Sequence, residues 1–157
     1  MRIKETLKEL YERDYHRWLE ETIELLKAKN FEELDVENLL KELEYMEKSL
    51  IRELRSRLAV IMAHIYKLQH FKQFSQGGHS WVKTIERERQ NLRELFEDAP
   101  FLKKYLEEVK HKAWESAISL IIIDLKPDLK LTRRDFPQAC PYSWHDILEK
   151  DWWEEVL

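Results

Sequence analysis

From Asp35 to Phe74 the chain contains neither Gly nor Pro, and apolar residues recur along it mostly three, four or seven positions apart: Val36, Leu39, Leu40, Leu43, Leu50, Leu54, Leu58, Ile61, Ile65 and Leu68. That spacing predicts one long amphipathic helix over 35–74, on the order of 50 Å at 1.5 Å per residue. Ahead of it, Leu7, Leu10, Tyr11, Trp18, Thr22 and Leu25 share a face of a helix predicted from about Glu5 to Lys29. Asn30 is placed to close that helix in the left-handed conformation, and Asp35 to cap the long one. Both glycines of the protein lie in Ser75-Gln76-Gly77-Gly78-His79, which marks a loop. Ser80 is the predicted N-cap of a third helix running to about Asp98, with Trp81, Ile85, Leu92, Leu95 and Phe96 inward. Pro100 fits the first turn of a fourth helix, whose missing N–H costs nothing there. Its stripe is Leu102, Tyr105, Leu106, Val109, Ala113, Ala117 and Leu120.

Beyond Asp124 the helical period stops. Pro127, Pro137 and Pro141 exclude a single helix, while Ser143-Trp144-His145-Asp146 has the outline of a capping box opening a short helix from Trp144 to Lys150. Phe136, Tyr142, Trp144, Trp152 and Trp153 load this tail with aromatic surface, which predicts that it packs back on the helices. The fold expected is all-α: a four-helix-type bundle over about 5–124, containing one very long helix, closed by an aromatic C-terminal strap over 125–157. The 157 residues read as a single domain.

Composition narrows the setting. With 43% hydrophobic residues the chain has material for a core, and 31 acidic against 27 basic residues give a net charge of only −4. High, balanced charge describes helices with ion-paired outer faces, with no global pull toward nucleic acid or anionic lipid. Cys140 is the only cysteine, so no intrachain disulfide forms and a reducing cytoplasm is the expected location. The opening Met-Arg-Ile-Lys-Glu-Thr-Leu is too polar for a signal peptide. Ile118 to Ile123 is the longest apolar run, far below the roughly 20 residues of a membrane span.

Several segments occur in an order that resembles a known family. They are Leu10-Tyr11-Glu12-Arg13-Asp14-Tyr15 with Trp18; Phe31-Glu32-Glu33-Leu34-Asp35 with Glu37-Asn38-Leu39-Leu40; Arg57-Leu58 with His64 and Lys67; Ser80-Trp81 with Thr84-Ile85 and Arg89; and Phe136-Pro137, Cys140-Pro141-Tyr142 and Asp151-Trp152-Trp153. Together they resemble the bacterial family known as domain of unknown function twenty-nine. The resemblance spans nearly the whole chain and implies an all-helical fold; it carries no activity. Lys41-Glu42 stands where members tend to have Glu-Glu, and Glu47 where many have Gly.

The candidate chemistry lies in the stripes. At about 100° per residue, Asp14, Glu47 and Glu88 project into the apolar faces of three helices, with His64 on the flank. Inward carboxylates and a histidine from different helices are how bundles assemble metal sites. Asp14, Glu47, His64 and Glu88 therefore form a candidate divalent-metal or acid/base site. The competing reading pairs the acids with Arg57 and Arg89 and gives His64 a structural hydrogen bond. No Glu-x-x-His spacing is present, no catalytic motif is recognised, and no cofactor is implied. Cys140 with His145 reads as an inert buried thiol rather than a nucleophile. Arg52, Arg55, Arg57, Arg87, Arg89 and Arg93 lie among glutamates and read as solvated ion pairs.

Tyr142, Trp144, Trp152 and Trp153 are a candidate interaction surface, against the alternative that they complete the core. The function expected is a non-catalytic protein-interaction module, with a protein partner or self-association as a homodimer through the long helix. A metal-dependent enzyme using the inward carboxylates and His64 is the alternative, and a nucleic-acid-associated protein the second.

Overall fold

The computed structural model describes residues 6–156, which are all-α, with no strand among them. Six α-helices follow in order: α1 (Leu7–Arg13), α2 (Tyr15–Lys27), α3 (Val36–His70), α4 (His79–Asp98), α5 (Leu106–Leu125) and α6 (Trp144–Leu148). Short 3₁₀ turns link them. The chain divides into two compact units, Met1–Ser49 and Leu50–Leu157, and α3 contributes its first turns to one and the remainder to the other.

In the N-terminal unit the first predicted helix is broken in two. Asp14 leaves helical geometry at φ −146° and ψ 80°. Its N–H donates to the Leu10 carbonyl at 2.7 Å, closing α1, and its carboxylate accepts from the Arg17 N–H at 3.1 Å, opening α2. A short acidic side chain that can bond the backbone favours caps over helix interiors. The predicted start at Glu5 lies outside the described residues. Lys29, not Asn30, takes the left-handed conformation at φ 57°. Lys29 and Asn30 return their N–H groups to Leu26 and Leu25 at 3.1 and 2.9 Å, the bond pattern of a Schellman close.

Asp35 caps α3 as its position implied. Its carboxylate accepts from the Asn38 N–H at 3.3 Å, the Asn38 amide at 2.6 Å and the Trp18 indole at 3.2 Å. Glu42 accepts from the Tyr11 and Tyr15 hydroxyls, both at 2.6 Å. Contacts to α3 thus run from Asp35 to Glu42 as those to α2 run back from Trp18 to Tyr15, so α2 and α3 form an antiparallel hairpin.

The C-terminal unit holds the main core. Leu54, Leu58, Ile61, Ile65 and Leu68 of α3 are fully buried with Val82, Ile85 and Leu92 of α4 and Ala113, Trp114, Ala117 and Ile121 of α5. The long helix ends at His70 rather than Phe74, which belongs to a 3₁₀ turn over Lys72–Phe74. Gly78, rather than Ser80, precedes α4, at φ 86°. An added Cβ there would stand 2.4 Å from the Leu68 Cδ1, so both the backbone conformation and the close approach require glycine. Pro100 opens a 3₁₀ turn over Pro100–Tyr105, and the α-helix proper begins at Leu106.

The tail folds back on this unit. Phe136, Tyr142, Ile147 and Trp152 are buried. The Trp114 indole donates to the Pro137 carbonyl at 2.8 Å and the Tyr142 hydroxyl to the Gln69 side chain at 2.7 Å. The Ser143/Asp146 capping box opens α6, which is one turn long and stops at Leu148. Arg89 is buried and donates to the carbonyls of Asp146, Ile147 and Lys150 at 3.0, 2.9 and 2.8 Å. Those acceptors lie at the C-terminal end of a short helix, where carbonyls lack intrahelical partners.

Candidate interaction surface

The four residues read as an inward acid/base or metal set do not share one environment. Asp14 is exposed and spends its carboxylate on the α2 cap. Glu47 is exposed on α3. The helical wheel places both in apolar stripes, but α1 ends at Asp14, and Glu47 stands in an exposed stretch of α3 with Leu43 and Met46. Glu88 accepts from Arg57 at 3.0 Å, and Arg57 also donates to Glu53 at 3.2 Å. His64 is half-buried, with its Nδ1 2.7 Å from the Val60 carbonyl. Burial, followed by the nearby Lys67 ammonium, pulls its pKa down to about 4. A neutral imidazole whose Nδ1–H donates to Val60 satisfies these facts. Among the described residues no three His, Cys, Asp or Glu side chains stand together as a metal-holding group.

Around His64, α3 carries a polar row that α4 and α5 enclose. Lys67 is buried, donates to Asp124 at 2.7 Å, and lies 5.0 Å from the centre of the Trp81 ring. Arg57, His64, Lys67 and Trp81 all come from the motif segments, and the structure shows why each is there: paired or stacked, they bring charge into a packed unit without orphaning it. Arg89 belongs with them: it keeps the expected ion pair with Glu86 at 3.4 Å, but it is buried rather than solvated and also clamps the tail. Burial pushes the Cys140 thiol up, which keeps it a weak nucleophile.

The tail aromatics are not a free surface. Tyr142 and Trp152 are buried; Trp144 and Trp153 are half-buried, with the Trp144 indole donating to Glu107 and Lys110 lying 4.8 Å over its ring. Tyr142 and Trp152 give their apolar area to the chain's own core, and Trp144 and Trp153 pack partly against it.

The exposed apolar area lies elsewhere. Val36, Leu40, Leu43 and Met46 on α3, and Ile23 and Leu26 on α2, are exposed, with Leu40 and Leu43 at 54% and 55%. On α2, Leu19 and Ile23 each follow by one position a buried residue, Trp18 and Thr22. On α3, Leu39 and Leu43 each follow by one a residue of the hairpin seam, Asn38 and Glu42. One position is about 100° of rotation, in the same sense on both helices. In an antiparallel pair, equal rotation in the same sense carries both rows to the same side. The hairpin therefore presents a two-helix apolar face formed by Leu19, Ile23 and Leu26 with Leu39, Leu43 and Met46. Periodicity puts Val36, Leu40 and Leu43 in the stripe of the long helix, yet all three are exposed, because it registers a stripe without registering what covers it.

An all-α fold with a long helix, a clamped aromatic strap and an open hairpin face defines the class of this protein. The chain belongs to the family described as "Domain of unknown function DUF29", whose model matches residues 10–153, in agreement with the motif resemblance. No curated protein and no solved structure matches it. Among the described residues no helix is long and apolar enough to cross a membrane.

Proposed function

We propose that this protein is a non-catalytic interaction module that receives an amphipathic helix of a protein partner on the open face of the α2–α3 hairpin. One observation carries the reading. The apolar row of α3 is fully buried at Leu54, Leu58, Ile61, Ile65 and Leu68, yet more than half exposed at Val36, Leu40 and Leu43. A helix that lays its own apolar stripe along the hairpin would complete a three-helix arrangement and remove that surface from water, at roughly 25 cal/mol per Å². The N-terminal unit has reason to need such a guest: Leu10 and Trp18 are its only fully buried apolar side chains among the described residues, and units of this size rarely stabilise themselves on so little. The setting that suits it is a bacterial cytoplasm, consistent with a single, half-buried cysteine.

The test compares the tagged chain with a Leu40→Glu/Leu43→Glu variant, both expressed in the source organism. A protein recovered near equal amount with the native chain and lost with the variant, at unchanged helix content and melting temperature, supports the reading. A partner retained equally by both, or none recovered while the native chain stays monomeric at high concentration, would falsify it.

A further inference from the structure

The open face has a charged border as well as an apolar floor, and the border selects its occupant. Residues 1–49 hold 14 acidic and 9 basic side chains, whereas residues 50–157 hold 17 and 18, so the acidic surplus of the protein belongs to the N-terminal unit. One position beyond the apolar rows, rotation brings Glu20 and Glu24 to the α2 edge and Glu44 to the α3 edge, with Glu47 one turn beyond Leu43. Glu20 is held by His16 at 2.6 Å and Glu24 by Lys27 at 3.7 Å. Glu44 and Glu47 are exposed, and among the described residues neither takes part in an ion pair or hydrogen bond.

Resting on the docking reading above, we infer that the occupant is a basic amphipathic helix: apolar residues at three–four spacing seated between Ile23, Leu26, Leu43 and Met46, with Lys or Arg on its shoulders meeting Glu44 and Glu47. A second copy of this chain is a poorer guest. Its corresponding helix would bring the same Glu44 and Glu47 against their own likeness, and like charges across an interface are penalised. A basic helix gains there without burying the charges, because shoulder positions stay at the rim; the gain appears in association rate and salt dependence.

The experiment uses the full chain and three synthetic peptides. One is a leucine-striped helix with Lys/Arg shoulders, one has the same stripe with Glu shoulders, and one is a scrambled sequence of the basic composition. Binding is read by fluorescence anisotropy at low and high salt, with sedimentation of the chain alone. The expected result is binding of the basic helix at least about tenfold tighter than the acidic one, weakening with salt. It is abolished by Leu43→Glu and reduced several-fold by Glu44→Gln/Glu47→Gln at unchanged melting temperature. Equal binding of the acidic-shouldered helix would overturn the charge assignment and leave the docking face standing. Equal binding of the scrambled peptide would overturn the inference by reducing it to general charge attraction. A dimer of the chain alone, abolished by Leu43→Glu, would replace the basic helix with a second copy and keep the face. No peptide bound by a monomeric chain overturns both the occupant and the face.

Discussion

Residues 1–49 and 50–157 are built from the same material, amphipathic helices with capped ends, yet they treat their apolar side chains in opposite ways. Among the described residues of the C-terminal unit 26 apolar residues from α3, α4, α5, the turn between α4 and α5, and the tail form one buried cluster. Among the described residues of the N-terminal unit the buried apolar set is Leu10 and Trp18, while nine large apolar residues from Tyr15 to Met46 lie exposed. Hydrophobicity alone does not account for it, since large apolar residues of one helix, such as Leu43 and Leu58, meet opposite fates. It is a difference in partners: the later part of α3 is covered by two long helices and a strap, the earlier part by a hairpin arm on one flank. In the earlier part, the Trp18 indole donates to Asp35 and the Tyr11 and Tyr15 hydroxyls to Glu42, tying α1 and α2 to α3. Those bonds are individually modest.

The largest test of this contrast is Trp114→Ala. Trp114 is fully buried and donates to the Pro137 carbonyl, so truncation leaves both a cavity and an orphaned acceptor. A loss of about 3–5 kcal/mol is expected, seen as lowered hydrogen-exchange protection throughout α5. A loss below about 1 kcal/mol would mean that this core relaxes as easily as the hairpin, and the contrast would go. Arg89→Ala comes next, at about 3 kcal/mol, because it strips three backbone carbonyls of a buried charged donor. Its signature is local: proteolysis in the segment after Phe136 accelerates. Arg89→Lys, which lacks the planar fork, fails to restore resistance. Full rescue by lysine would show that charge alone, not the three-carbonyl geometry, fastens the strap.

A smaller effect follows from His64. Its folded pKa of about 4 lies below the ordinary 6.5 because burial disfavours the imidazolium, with Lys67 adding to the penalty and the Val60 carbonyl, then Asp124 and Glu88, opposing it. The unfolded chain therefore binds the proton more readily between those values. Stability is complete above pH 6.5 and falls as pH drops toward 4, by about 2 kcal/mol at pH 5. Denaturant unfolding of the native chain and His64→Gln at several pH values checks the sign. The variant should lose the slope between pH 6.5 and 5 while keeping the steeper acid loss from carboxylates such as Glu37 and Glu42, whose pKa values are lowered by Lys8 and by the Tyr11 and Tyr15 hydroxyls respectively.

How much of this was legible beforehand divides along the same line. The stripe of α3, the glycine loop and the Ser143/Asp146 capping box could be read because each depends on neighbours close in sequence, and the return of the aromatic tail because so much apolar area must be buried somewhere. The break at Asp14 could not be read from its place in an apolar stripe, since capping won over continuation there. Arg89 looked like one arginine among surface ion pairs because its acceptors lie some sixty residues away. Asp14 and Glu47 looked inward because a helical wheel fixes direction along a helix but says nothing of what stands opposite. The Arg57–Glu88 pair and the His64 hydrogen bond, by contrast, match the structural alternative that the sequence left open.

The smallest predicted effect on stability bears most directly on function. Leu43→Glu removes an exposed leucine from the hairpin face, so in the isolated chain it should change stability by less than about 0.5 kcal/mol in either direction. Leu58→Glu, on the same helix but fully buried, should prevent the C-terminal unit from folding. Urea unfolding followed by circular dichroism separates the two substitutions. If Leu43→Glu destabilises the free chain by more than about 2 kcal/mol, then Leu43 is already covered in solution and the face is not free for a guest. If it is silent in the free chain but removes binding of an amphipathic helix, the exposed turns of α3 are maintained for an interaction rather than for the stability of the fold, because an unfilled apolar row gains the folded chain nothing until a partner covers it.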